Sequence, residues 1–300
     1  MDRGLFYQVG PLSPARFEEL AKEVALAEGL GLDAVWCLPM TDADGGFRGS
    51  APEIWLAGLA GVTKSIRLGW GVPGVWPPAV APVREAEQAA TLDVACGGRL
   101  DVAVLPEVAD RARSEPDADA DAPPEPPASM EDFDEGIRMW VEMWAPATFS
   151  WTSKRLSVPA IDVVPKPVQR PHPPLWLVGW SADHADRAGR AGLGFLDVSG
   201  GGYEIWCAHR ECYVAARGEA NPEDLVCVSV YAVAADPPED FRADAGGDES
   251  VRDWLEELEA IGIDQVVLRA GPLDGGHAEA CRRIQWLANN GSRGQGARRR

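Results

Sequence analysis

Short apolar runs alternate with amphipathic helical stretches along almost the whole of this chain, without any internal repeat of sequence. The runs are Gly4–Val9, Ala34–Leu38, Ile66–Trp70, Arg99–Leu105, Leu175–Val178, Gly194–Val198, Leu225–Val233 and Ile263–Leu268. Each is short enough for a strand, and the stretches between carry apolar stripes at helical spacing, such as Phe17, Leu20, Ala21, Val24 and Ala27. Strand–helix alternation calls for a parallel sheet with helices outside, because parallel strands need a crossover between them. About eight such units favour a closed (β/α)8 barrel, the TIM barrel, over an open doubly wound sheet. No glycine-rich phosphate fingerprint follows the first strand, which counts against a dinucleotide fold. At 300 residues and 46% hydrophobic content the chain has enough core for one such domain. The expected barrel spans residues 1–288. The segment 106–129, rich in Pro, Ala and Asp, reads as a disordered acidic loop, and the Gly/Arg-rich 289–300 as a disordered tail.

Charge restricts the partners. With 47 acidic against 28 basic residues the formal net charge is −19, a field that repels phosphate backbones and anionic lipid. Neither nucleic acid nor membrane is expected as a partner. No apolar stretch approaches the roughly 18 residues of a membrane span, and the apolar run after Asp2-Arg3 is too short for a signal peptide. Six cysteines without a CxxC pair suit a reduced, cytoplasmic protein. Cys207, His209 and Cys212 lie close in sequence, but residues two and five apart do not share a helix face, so packed thiols rather than a metal are expected.

The segment Val164–Ser181, VPKPVQRPHPPLWLVGWS, is the most distinctive. Its first eleven residues hold five prolines, which cannot donate to a helix or a central ladder. A stiff extended approach therefore feeds the buried strand Leu175–Val178, which opens at Gly179 into a helix. In a parallel α/β protein that end of a strand is where ligands sit. Asp93, in the run TLD, reads as a structural acid at a helix end. Asp42 and Asp44 read as a solvated turn.

Three segments in order carry a resemblance. They are GLDAVWC (Gly31–Cys37), then LAGVTKSIRLGWGV with APVREAEQAATLD and CGGRL (Leu59–Leu100), then PKPVQRPHPPLWLVG before Ser181-Ala182. Together they resemble the bacterial luciferase-like flavin monooxygenases and their coenzyme F420-dependent relatives, from about Gly4 to Trp286. The resemblance implies a luciferase-like barrel that binds reduced FMN or F420 at the C-terminal ends of its strands. It implies a flavin- or F420-dependent oxidoreductase, monooxygenase-like, acting on a small organic substrate. It also implies a dimer, either of identical chains or with a family paralogue.

By the same resemblance a cis peptide supporting the ring falls at or beside Pro73–Gly74, with Val75 following, although Pro-Gly there also reads as a simple turn. Ser181 and Ala182, with Gly179 and Trp180 before them, match the family's phosphate-binding turn. A helix N-terminus suits an anion, but Asp183 in the same turn opposes one, and Ser181 alone also reads as a plain N-cap. Tyr7, Trp36, Met40 and Trp70 are candidates to line an apolar slot, or else core residues, and His184 is the one histidine expected to face the ligand. Two departures stand out. Where family members show an acidic residue and histidine after the second strand, this chain has Leu38-Pro39-Met40. Where luciferase has an arginine for the phosphate, it has Leu105-Pro106. The catalytic residue is thus not named by the sequence, and a barrel that has lost its chemistry and serves as partner subunit or binding protein is the rival expectation.

Overall fold

Strand β1 (Asp2–Val9) pairs in parallel with both β2 (Ala34–Pro39) and the last strand, so the sheet has no free edge. The structure, a computed structural model, describes residues 1–9, 13–39, 51–73, 82–105, 130–154, 156–200, 203–218, 230–234, 255–269 and 277–290. The ring continues through β3 (Arg67–Pro73) and β4 (Leu100–Leu105). An antiparallel pair, β5 (Phe149–Thr152) and β6 (Ser157–Ile161), stands outside it. The ring then resumes with β7 (Leu175–Gly179), β8 (Gly194–Asp197), β9 (Val230–Ala234) and β10 (Gln265–Arg269). Its order is β1-β10-β9-β8-β7-β4-β3-β2, a closed barrel of eight parallel strands as the alternation requires.

The helices are α1 (Pro14–Gly29), α2 (Pro52–Val62), α3 (Pro82–Ala95), α4 (Met130–Trp144), α5 (Ala182–Arg190), α6 (Tyr203–Arg217) and α7 (His277–Asn290). Residues 255–260 are helical as well. Ser13 caps α1 by accepting from the Arg16 N–H, with Pro14 at the first helical position, as Ser-Pro predicts. Helix α7 runs to Asn290, two residues into the stretch read as tail. The acidic segment 106–129 and residues 291–300 lie outside the described residues.

Strand alternation sorts the core into two shells. Leu5, Tyr7, Val35, Cys37, Leu68 and Trp70 point outward and pack under the helices. Phe6, Ala34, Trp36, Leu38, Ala103, Trp176, Val178, Leu196 and Val267 point inward and fill the barrel. Two indoles occupy its lower half, Trp36 and Trp176, edge to face with centroids 5.4 Å apart. They fit because the facing positions are Gly69 and Gly194; a Cβ at either would drive into an indole ring.

The N-terminal end of the barrel is sealed by polar groups. Trp36 donates to Gln265 Oε1 and Trp176 to Asp101 Oδ1, each at 3.3 Å. Arg67 grips Asp101 through two nitrogens, at 2.6 and 3.0 Å. The proline-rich approach lies across this floor. Fully buried Asp93 accepts from the N–H groups of Val168 and Gln169 and from the Gln169 amide, at 2.7, 3.0 and 2.7 Å. The structural acid expected in TLD is therefore the clamp of the proline run.

Candidate functional site

At the C-terminal end the apolar inward positions include Phe6, Leu38, Val178, Leu196 and Val267, with Leu105 and Val198 packed against them, and strand parity puts Gln8 on the same side. This is an apolar interior, open in chemistry to a flat ring or an alkyl body. Leu38 is the last inward residue of β2 and is 4% exposed.

The turn from β7 into α5 is the described loop at this end. Ser181 caps α5: its Oγ accepts from the His184 N–H at 3.4 Å and lies 2.8 Å from His184 Nδ1. The imidazole also meets the Trp180 ring, centroids 4.6 Å apart, and Trp180 itself is 43% exposed. Gly179 faces outward, and a Cβ there would come within 2.5 Å of His184 Cβ. Glycine at this position lets α5 close onto the strand end and brings His184 over the turn. The cap takes one of the first helical N–H groups. Those of Ala182 and Asp183 have no acceptor within the helix, as at any helix start, and present partial positive charge. Asp183 is exposed and its carboxylate opposes an incoming anion.

The other expected site residues fall in different places. Tyr7 and Trp70 face the helix layer, not the interior: strand parity puts their neighbours Phe6, Gly69 and Gly71 inside. Tyr7 donates to Glu23 of α1 at 3.0 Å and meets the edge of Trp55, and burial followed by the Glu23 charge pushes its hydroxyl well above the ordinary range. Trp36 is inside but belongs to the floor packing. None of the three lines an open slot. Pro73 ends β3, its backbone opposite Leu105. Met40, Gly74 and Val75 lie outside the described residues, and with them the expected cis peptide.

Two buried polar clusters sit between the sheet and the helices. Glu23, fully buried, receives Arg16 at 2.6 Å, Tyr7 and His277 Nδ1 at 3.0 Å, and so ties α1 to α7. Asp197, at the end of β8, meets His209 Nδ1 at 2.8 Å and accepts from the Ser199 N–H at 2.9 Å. His209 is thus engaged by a carboxylate, while Cys207 and Cys212 are free thiols. Among the described residues no three His, Cys, Asp or Glu side chains are grouped to hold a metal.

One residue at this end escapes the sequence reading. Arg269 is the last residue of β10, one beyond the expected strand end, and it pairs with Phe6 across the β1–β10 ladder. Gln265 and Val267 point inward, so Arg269 does too, and its guanidinium lies 5.9 Å from the Phe6 ring centroid. Strand parity alone, extended by one residue, would have found it.

A parallel (β/α)8 barrel with a polar-sealed N-terminal floor and an apolar C-terminal interior is the architecture in which chemistry sits at the strand ends. The sequence matches the model of the luciferase-like monooxygenase family over residues 3–293, and the chain belongs to that family. It is 31% identical over 176 residues to an FMNH2-dependent dimethylsulfone monooxygenase of Pseudomonas putida. That match covers 57% of this chain but 45% of the relative, so the chain spans under half the length of that enzyme. Among solved structures the monooxygenase RslO1 from Streptomyces bottropensis superposes with a TM-score of 0.72 at 20% identity, over 97% of this chain and 98% of that one. The coenzyme F420-dependent tetrahydromethanopterin reductase of Methanopyrus kandleri gives 0.67 at 16%, over 95% and 97%. The oxygenating constituent of the Pseudomonas putida 3,6-diketocamphane monooxygenase, in complex with FMN, gives 0.66 at 14%, over 96% of each chain. These likenesses carry the fold. No helix among the described residues is long and apolar enough to cross a membrane.

Proposed function

We propose that this protein is a flavin- or F420-dependent oxidoreductase, monooxygenase-like, that acts on a small organic substrate at the C-terminal mouth of its barrel. The observation that carries the reading is the pairing of an apolar interior end with a helix N-terminus beside it, Ser181–Ala182 at the start of α5. A ring cofactor with a phosphate-bearing tail needs both. Ser181 and the amides of Ala182 and Asp183 would hold the phosphate, and the exposed face of Trp180 would flank the chain that leads to it. Asp183 weakens that grip, and His184, in its charged form, would offset it. Bound there, the cofactor supplies the reducing electrons; the protein supplies position and exclusion of water.

Reduced FMN is the cofactor named for the 31% identical relative, and F420 is named for the reductase of similar fold. That these relatives are named as enzymes supports turnover over a role as bare partner subunit. Anaerobic titration with reduced FMN and, separately, with F420 tests the proposal: one of them should bind, and Ser181→Ala should weaken it about tenfold. Failure of both to bind at millimolar concentration would end it.

The same reading includes a homodimer formed on α2, whose outer face leaves Ile54 68% and Val62 57% exposed. Sedimentation should show a dimer that Ile54→Glu converts to monomer. A wild-type monomer at micromolar concentration would rule out self-association there.

A further inference from the structure

The proposed function leaves the substrate undefined, and Arg269 bears on it. It stands at the mouth end of β10, directed inward, with its guanidinium over Phe6. Its Nε is sealed from solvent and has no acceptor. Among the described residues no carboxylate or carbonyl pairs with this guanidinium, although the chain carries 47 acidic residues. The contrast with Arg67 is direct. Arg67 also points into the barrel, at the floor, and is held by Asp101 through two nitrogens. The side chain is only partly buried, and a guanidinium with its Nε sealed and no protein anion beside it keeps its outer donors available for an anion that arrives from outside.

Its position separates this charge from the phosphate turn. Round the ring β10 is three strands from β7, which leads into Ser181, and four from β4, which ends in Leu105. Arg269 therefore faces Leu105 across the mouth and does not stand in for an arginine on β4. The described apolar residues next to it inside are Phe6 and Val267, and Gln8 is the next inward position of β1 beyond Phe6.

We propose that Arg269 determines substrate class: it receives the oxyanion head of a small organic acid, a carboxylate or sulfonate, whose apolar body lies along Phe6 and the interior beyond it. This deepens the proposed function and rests on its placing of the substrate at this mouth. A planar guanidinium meets either head group through two parallel hydrogen bonds, which a neutral amide of the same shape cannot return in kind.

The test uses hexanoate and hexane-1-sulfonate as anionic probes and hexanamide as the neutral one, with binding followed by calorimetry on the full chain. Wild type should bind the anions about tenfold or more tightly than hexanamide. Arg269→Met should erase that preference by weakening the anions alone, and Arg269→Lys should keep part of it. Equal binding of anion and amide by wild type overturns the proposal. So does an equal loss of all three probes in Arg269→Met. Should the Met variant fail to fold, the wild-type preference and Arg269→Lys still decide.

Reduced FMN and F420 titrated into Arg269→Met separate the two possible sources of negative charge. Unchanged cofactor affinity is expected. A loss confined to the cofactor, with the acids unaffected, assigns the charge to the cofactor and overturns the substrate claim. Acid preference without binding of either cofactor would sustain this site while removing the proposed oxidoreductase function.

Discussion

At the floor of the barrel Trp36 and Trp176 have both their rings and their N–H groups satisfied, whereas at the mouth Trp180 stands 43% exposed against a histidine. The arginines differ in the same way: Arg67 is locked to Asp101, and Arg269 has a phenyl ring beside it and no protein anion among the described residues. The lesson is a division of labour along the barrel axis. One end converts buried polarity into rigidity, and the other leaves a half-exposed indole and a guanidinium without a protein anion among the described residues.

The comparison breaks most visibly at the floor. Trp176→Ala should cost about 3–5 kcal/mol in denaturant unfolding, because its indole fills the barrel against Trp36 and Gly194. If ligand affinity at the mouth falls by as much, the two ends are not separate. Asp93→Ala should cost about 3 kcal/mol by the same measurement, since three donors of the proline run lose their acceptor in a buried place. Ser181→Ala sharpens the contrast from the other side. Loss of an N-cap costs about 1 kcal/mol or less in stability, yet the same change should be conspicuous in cofactor binding.

The smallest effect is at the rim of the floor, where Glu28 accepts from the N–H groups of Lys64, Ser65 and Ile66 and from the Ser65 hydroxyl. Burial raises its carboxyl, but these hydrogen bonds outweigh that and bring it from 4.5 down to about 2. A carboxyl depressed by folding stabilises above its unfolded pKa and ceases to do so as pH falls through the folded one. Wild type should thus exceed Glu28→Gln in stability by under about 1 kcal/mol at neutral pH, after allowance for solvent screening. The difference should vanish between pH 4.5 and about 2, as read by urea midpoints across that range.

The barrel was legible because buried parallel strands announce themselves as unbroken apolar runs, and each of the eight ring strands falls on one of the expected runs. The pair β5–β6 was not, since it buries only Phe149, leaves its other residues half-buried or exposed, and never forms such a run. The mouth was legible in part. Ser181 and His184 follow from a helix-start pattern. For Tyr7 and Trp70 the sequence left slot and core both open, because aromatic content says nothing of which side of a strand a ring takes; the glycines at 69 and 71 held that information. Arg269 was missed at the last residue of a strand, where end assignments are least secure.

The clamp of Asp93 on residues 168 and 169 has a consequence for how the chain is made. Synthesis delivers α3 and β4 well before the segment that Asp93 holds, and before Trp176, which donates to Asp101 and fills the barrel beside it. The first four strands therefore leave the ribosome with buried-to-be carboxylates still in water and the space beneath their indole unfilled. Closure waits on a stretch about a quarter of the chain further along. The barrel is stitched from below, late, and by its own second half.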